Sequence, residues 1–307
     1  MTPDGMPIAM LRDADLADLD PRTAVEAMRE AAIAAEDGRL VAPARISAPL
    51  DDGRLVVTAG EVRGVCFGFR SYDTRGHEHG EQVVVAHDAR TGVVEAIAVG
   101  TLLGQIRTGA LGGLAADLLA DPAADTLAVV GAGHQAWQQI RMVAAVRPLS
   151  LVRLASRTRP RADALAERVR EKLGLPCEVA TTPQRCVAGA GLVVLATSSR
   201  TPVLEARDLD PDAHVTTLGP KRVDGAEFDE DLLSTAALLA TDSRAQLLGY
   251  DPPTLAASTG RGDDVVTLGA LATGAVARPP RGRSVFLSVG LAGTEVLLLH
   301  RIARESA

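Results

Sequence analysis

The chain has 307 residues, long enough to bury a sizeable core and, as a prior, to form two domains. Its formal net charge of −7 gives no electrostatic reason to expect a nucleic acid or an anionic membrane as partner. Hydrophobic residues make up 47% of the sequence but aromatics only 2%, so the core must be built of Ala, Val and Leu, which favours helices and parallel sheet over an aromatic-rich sandwich.

No run of about 18 apolar residues is present to span a bilayer, and the first residues lack the basic and apolar regions of a leader. Cys66, Cys177 and Cys186 have no metal-ligand spacing and are odd in number, so free thiols of a reducing compartment are expected. The expectation is a soluble, cytoplasmic protein.

In chain order, Arg12 to Leu19 reads as a short segment ahead of a helix. Asp20 offers an N-cap, Pro21 fits the first helical position, and Gly38 stops the helix after Asp37. Ala24, Met28, Ala31 and Ala35 recur at helical spacing, which marks a packing face. Between Arg45 and Val99 the pattern shortens. Alternating runs at Arg54–Ala59, Val65–Phe69, Gln82–Asp88 and Val93–Val99 are parted by Gly, Asp and Arg turns, as in an antiparallel sheet, with a hairpin turn at Thr91–Gly92. Helical patterning returns from Gly100 to Ala120, with Arg107 near its start.

The stretch Thr126 to Ala136 follows. An apolar run, Leu127 to Val130, ends in Gly131-Ala132-Gly133-His134-Gln135-Ala136 and then a helical pattern. Strand, tight turn and helix N-terminus is the order a dinucleotide site needs. Gly131 allows the turn, Gly133 admits a pyrophosphate, Ala136 permits close packing, and the free N–H groups of the helix favour an anion. His134 is expected to cap the turn or touch phosphate.

The next strand, Ser150 to Ala155, carries the second determinant. An NAD-selective turn places Asp or Glu at its end to accept from the ribose 2′-OH. Here stand Ser156, Arg157, Thr158 and Arg159, two hydroxyls and two guanidiniums suited to a 2′-phosphate, so NADP(H) is expected over NAD(H). The alternative is a solvated basic turn opening the helix from Pro160 to Lys172.

Beyond it, strands near 178–180, 192–196, 214–218 and 238–241 alternate with helical segments, the rhythm of a doubly wound parallel sheet with ligands at the carboxyl ends of its strands. Thr197 and Gly219 follow two of these strands and join the expected cofactor set. Arg278 to Arg283 reads as a loop. Val285 to Ile302, a strand and a helix, is expected to return to the first domain. His77 and His79, flanked by Glu78 and Glu81, lack a third ligand at useful spacing, so a solvated loop and no metal are expected.

Several separated pieces, Pro43-Ala44-Arg45, LLGQIRTGALGGLAADLLA at 102–120, VVGAGHQA at 129–136, HVTTLGPKRVDGAEFDEDLL at 214–233, DVVTLGAL at 264–271 and SVFLSVGLAGTEV at 284–296, stand in order along the chain. Together they resemble the ornithine cyclodeaminase/mu-crystallin family, which includes ketimine reductases and an alanine dehydrogenase branch. The resemblance implies a homodimer and an α/β fold. In it a Rossmann domain (121–279) is inserted into a mixed α+β substrate-binding and dimerisation domain (1–120 plus 280–307). It also puts Arg45, Arg107 and Thr108 at the substrate carboxylate, where Arg serves as a bidentate fork.

Two departures bear on the chemistry. The family's cyclodeaminases carry a Lys on the strand after P-x-R; here Arg70 aligns with it, or Cys66 if the gap is set otherwise. They also place an Asp two residues after a glycine, and counting from Gly219 gives Lys221. A cation there repels the second ammonium of a diamino acid, which argues against cyclodeamination. Hydride exchange at a carbon bearing the amine or imine of a small carboxylic acid is expected instead, with Lys221 and Arg107 as the catalytic pair. Lys221 would serve as proton donor, as holder of a second carboxylate, or as an exposed loop residue. Asp224 and Glu227 lie nearby, and Glu227 is expected to cap a helix. The alternatives are a true ornithine cyclodeaminase and a non-catalytic protein that binds NADPH and a small ligand.

Overall fold

The structure, a computed structural model, describes residues 8–77 and 80–305. It comprises two compact units, Met1–Arg107 with Leu291–Ala307, and Thr108–Gly290.

In the first unit, strands β1 (Ala9–Arg12), β2 (Leu40–Val41), β3 (Ile46–Leu50), β4 (Gly53–Val62), β5 (Cys66–Asp73), β6 (Gln82–Asp88) and β7 (Val94–Gly100) form one sheet. Its order is β1-β7-β6-β5-β4-β2, with β3 also on β4. β1 joins β7 in parallel and the other pairs are antiparallel. The short helix α1 (Asp13–Leu16) leads into α2 (Pro21–Glu36). Asp20 caps α2 by accepting from the Arg22 N–H, Met28 and the alanines of one stripe are buried, and Gly38 takes φ +75° just beyond it.

The C-terminal helix, Thr294–Glu305, packs on the sheet face formed by Val56, Gly60, Cys66, Gly68, Val84 and Ala86. A Cβ on Gly60 would lie 2.3 Å from the Gly293 Cα, so the approach requires glycine. The other face is half-buried to exposed among the described residues. Ala59, Phe69, Val85, Ile97 and Met10 form one cross-strand row on it, and Ile46, Val57, Ser71, Val83 and Val99 another. Met10, Ile46, Leu50, Leu55 and Phe69 are exposed there.

The second unit contains the rest of α3 (Leu102–Leu119). Its strands are β8 (Thr126–Val130), β9 (Leu151–Ala155), β10 (Cys177–Val179), β11 (Leu192–Leu195), β12 (His214–Thr217), the two-residue pair β13 (Lys221–Arg222) and β14 (Gly225–Ala226), β15 (Leu238–Thr241), β16 (Val266–Thr267) and β17 (Ser284–Leu287). Eight of them form a sheet in the order β10-β9-β8-β11-β12-β17-β15-β16. Every adjacent pair in it is parallel. Alternate residues serve different cores. Leu127, Val129, Leu192 and Val194 face the side of α4 (His134–Val146) and α5 (Arg159–Leu173), while Ala128, Val130, Val193 and Leu195 face the side of α6 (Pro183–Val187). A strand buried on both faces reads as a continuous apolar run, and helices on both sides make the fold α/β and doubly wound.

Two differences from the sequence reading appear here. Ser284–Leu287 does not return to the first domain. It lies as β17 inside the parallel sheet, paired with β12 and β15, and the return begins only at Leu291. All four of its residues are buried, which is the behaviour of a two-sided interior strand. In addition, Ala9–Arg12 and Ile46–Leu50 are strands in their own right.

Candidate active site

The chain leaves β8 at Val130 and turns through Gly131, Ala132 and Gly133 into α4, beside the carboxyl end of β11, where the strand order reverses. Gly131 has φ +122°, and a Cβ there would stand 2.2 Å from the Ala196 carbonyl oxygen. Only glycine fits that turn. Gly133 differs, because it is exposed and a Cβ built on it meets nothing within 4 Å. The protein's own packing gives no reason for a glycine there; close approach of a ligand does. No side chain caps α4, so its leading N–H groups are left for an anion. Ala136 is fully buried, and Gln135 holds its side-chain oxygen buried without a partner. His134 is the exposed first residue of α4 and does not cap it. The turn fits a dinucleotide pyrophosphate.

At the end of β9, Ser156 accepts from the Thr158 N–H at 3.2 Å, forming the tight turn into α5. Arg159 is exposed and paired with Asp163 at 2.8 Å, one helical turn on. Arg157 is exposed and makes no hydrogen bond or ion pair among the described residues. No carboxylate occupies residues 155–158.

Glu227, expected as a helix cap, has another task. It is completely buried, and its carboxylate accepts from the Thr197 N–H (3.0 Å), the Thr197 hydroxyl (2.7 Å), the Leu218 N–H (3.1 Å) and the Gly219 N–H (2.6 Å). One side chain thus ties together the carboxyl ends of β11 and β12. Burial pushes its pKa upward, opposed by the hydrogen bonds from Thr197 and Gly219. Gly219 is required by the same closeness, because a Cβ there would lie 2.3 Å from the Thr197 carbonyl oxygen.

Lys221 is buried rather than an exposed loop residue. The pair β13–β14 folds back after β12, leaving Lys221 5% exposed with Nζ donating to the Gly219 carbonyl at 2.6 Å. Burial pulls its pKa below the usual lysine value, and the negative charges of Glu227 and Asp242 work against that pull. Asp242, also buried, accepts from the Val289 and Gly290 N–H groups at the end of β17. Asp224 is at the surface, held by Arg200 and Arg222.

In the first unit, Arg70 (β5) and Arg107 (α3) are brought together, and Arg45 is not. Arg45 is exposed in the loop before β3, with no partner among the described residues. Arg70 and Arg107 both bind Glu295 of the C-terminal helix, a residue the sequence reading did not single out; the Arg70 bond is 2.7 Å. Gln82 accepts from Arg70 Nε at 2.9 Å, and the Tyr72 ring lies under its guanidinium, 4.4 Å to the ring centre. Burial works against the charge on Glu295, but Arg107 and Arg70 more than offset it, drawing its pKa down to about 2. Nε of Arg107 is buried and unpartnered. Cys66, the other candidate for the lysine position, is fully buried, and burial pushes its thiol up to about 12. Thr108 opens the second unit, and its carbonyl accepts from the Gln139 side chain at 3.1 Å.

His214 is buried between the Ser284 and Thr216 hydroxyls, and burial lowers its pKa to about 3. A cavity of about 250 Å³ at the amino-terminal edge of the parallel sheet is lined by Asp121, Asp125, Asp210 and Asp212, the opposite edge from the glycine turn. His77 is exposed; Glu78 and His79 lie outside the described residues. Among the described residues, no three His, Cys, Asp or Glu side chains are grouped to hold a metal, and no helix is long and apolar enough to cross a membrane.

The sequence profile of the ornithine cyclodeaminase/mu-crystallin family matches residues 21–307. The Δ1-pyrroline-2-carboxylate reductase of Bacillus cereus is 32% identical over 166 residues, 54% of this chain and 51% of that protein. The chain therefore aligns with only about half the length of that relative. The ketimine reductase mu-crystallin of Mus musculus is 29% identical over 73% of this chain and 68% of its own. The fold is similar to that of Thermococcus litoralis Δ1-pyrroline-2-carboxylate reductase, solved with NADH and L-proline. The TM-score is 0.87 at 21% identity, covering 97% of this chain and 98% of that one.

Proposed function

The chain belongs to the ornithine cyclodeaminase/mu-crystallin family, and from that premise we propose that it is an NAD(P)(H)-dependent oxidoreductase moving hydride to or from the α-carbon of a small imino or amino acid. One observation carries the reading: Gly133, a glycine the protein's own packing does not require, precedes an uncapped 13-residue helix at the switch point of a parallel sheet. A nicotinamide cofactor held there supplies or accepts the hydride. The cofactor set is Gly131, Ala132, Gly133, His134, Gln135 and Ala136, with Thr197 and Gly219 at the neighbouring strand ends. Arg157, with Ser156, Thr158 and Arg159, is assigned to the 2′-phosphate. The absence of a carboxylate at 155–158 supports NADP(H) over NAD(H).

The first unit is assigned to substrate binding and the second to the nucleotide. Arg107 and Arg70, with Thr108 next to Arg107, hold the substrate carboxylate; Arg45, exposed and apart from them, is not assigned to it. Lys221 supplies the proton to the forming amine, a role its lowered pKa favours. A buried cation at this position disfavours a substrate carrying a second ammonium. The half-buried to exposed sheet face bearing Ile46, Leu55 and Phe69 is assigned to a second copy of the chain, which light scattering at micromolar concentration would report as twice the chain mass.

The test is NADPH oxidation by the purified protein with Δ1-pyrroline-2-carboxylate, Δ1-piperideine-2-carboxylate, or pyruvate plus ammonia, followed by absorbance. Turnover of at least one is expected. Tight NADPH binding with no turnover of any would make the protein a sequestering one, and proline plus ammonia from ornithine would make it a cyclodeaminase.

A further inference from the structure

Arg70 and Arg107 converge on one oxygen. Oε1 of Glu295 accepts from Nη1 of Arg70 at 2.7 Å and from Nη2 of Arg107, while Oε2 accepts from the Thr294 hydroxyl at 3.2 Å. The three side chains are only 15%, 9% and 3% exposed, so water screens this charge poorly. The remaining neighbours of Arg70, Gln82 and Tyr72, are uncharged. Two guanidiniums on one carboxylate leave a single positive charge, and Nε of Arg107 is a buried donor still without an acceptor.

We propose that Glu295 is a specificity-determining residue: it reduces the arginine pair to one net positive charge, so that the cluster accepts acids with one carboxylate and rejects dicarboxylates. The inference rests on the functional reading above, in which these arginines hold the substrate's carboxylate. A 2-oxo acid with one carboxylate and no ammonium brings the cluster to neutrality. A second carboxylate leaves an uncompensated negative charge in a poorly hydrated place, a cost that water would otherwise relieve. Glu295 also fixes the two guanidiniums relative to each other, since β5 and α3 contribute one each.

Charge substitutions of opposite sign test this. Pyruvate and oxaloacetate, which carry one and two carboxylates and no ammonium, are titrated calorimetrically into protein saturated with NADP⁺. Glu295→Gln keeps an acceptor but leaves two positive charges, and it should raise the oxaloacetate-to-pyruvate affinity ratio at least about tenfold over wild type. Arg70→Gln leaves none, and it should lower the ratio. Glu295→Asp, which keeps the charge, should hold it near the wild-type value. Should Glu295→Gln fail to fold, the Arg70→Gln and Glu295→Asp pair still decides the matter, because a merely structural Glu295 moves both affinities together. A ratio unmoved by the charge changes, or moved the same way by both, overturns the proposal while the functional reading stands. Wild-type protein that binds NADP⁺ but neither acid removes the functional reading, and the inference with it.

Discussion

Replacing Glu227 by Gln is predicted to loosen the carboxyl ends of β11 and β12 and to weaken nucleotide binding with them. The carboxylate accepts four hydrogen bonds, two on each oxygen, from Thr197 on one side and from Leu218 and Gly219 on the other. Glutamine offers one oxygen and one NH2 group. Whichever way it turns, one pair of donors meets another donor. A hydrogen bond to a charged acceptor is worth roughly 1.5–3 kcal/mol net, so two lost bonds represent about 3–6 kcal/mol. Relief of a buried charge, evident in the raised pKa of Glu227, offsets part of that loss. The expected destabilisation is therefore about 2–4 kcal/mol, or a fall in Tm of roughly 5–15 °C for a unit of this size. Thermal unfolding with and without NADPH, together with a fluorescence titration of NADPH, measures both consequences. A variant with Tm within about 2 °C of wild type and unchanged NADPH affinity would refute the role given to this side chain.

Three further outcomes are expected. Arg157→Asp should weaken NADPH about tenfold or more while leaving NADH affinity equal or better, since a carboxylate repels the 2′-phosphate and accepts from the 2′-OH; parallel losses for both nucleotides would contradict the assignment. Lys221→Met should lower kcat about a hundredfold with little change in NADPH affinity, the usual scale for losing a general acid, and an unchanged kcat would remove Lys221 from the chemistry. Glu295 has a folded pKa of about 2, below the ordinary 4.5, so its stabilising contribution is complete above about pH 5 and disappears as the pH falls towards 2. The difference in unfolding free energy between wild type and Glu295→Gln should therefore shrink by roughly 3 kcal/mol over that window in urea titrations, and a pH-independent difference would contradict the ion cluster.

Most of the nucleotide-binding half was legible because its signals are local. Asp20, Pro21 and Gly38 bracket α2, and Leu127–Val130 followed by two glycines gives strand, turn and helix within eleven residues. What escaped is non-local. Glu295 reads as one acid opening an apolar helix, and its partners stand 188 and 225 residues away, so no periodicity reveals them. Glu227 sits between Ala226 and Phe228 and meets its donors only once β11 and β12 lie side by side. The strand Ser284–Leu287 is too short for its pattern to tell which sheet it joins; pairing on both sides decides that. Lys221 was visible as a reversed charge, but its burial comes from the fold-back of β13 on β14.

The most direct test of hydride transfer at the α-carbon is the fate of deuterium when both hydrogens at C4 of NADPH are replaced by it, followed by mass spectrometry of the amino acid formed from the accepted imine. One deuterium at the α-carbon per turnover is the predicted result. An amino acid unlabelled at the α-carbon, with both deuteriums still on the nucleotide, would contradict it.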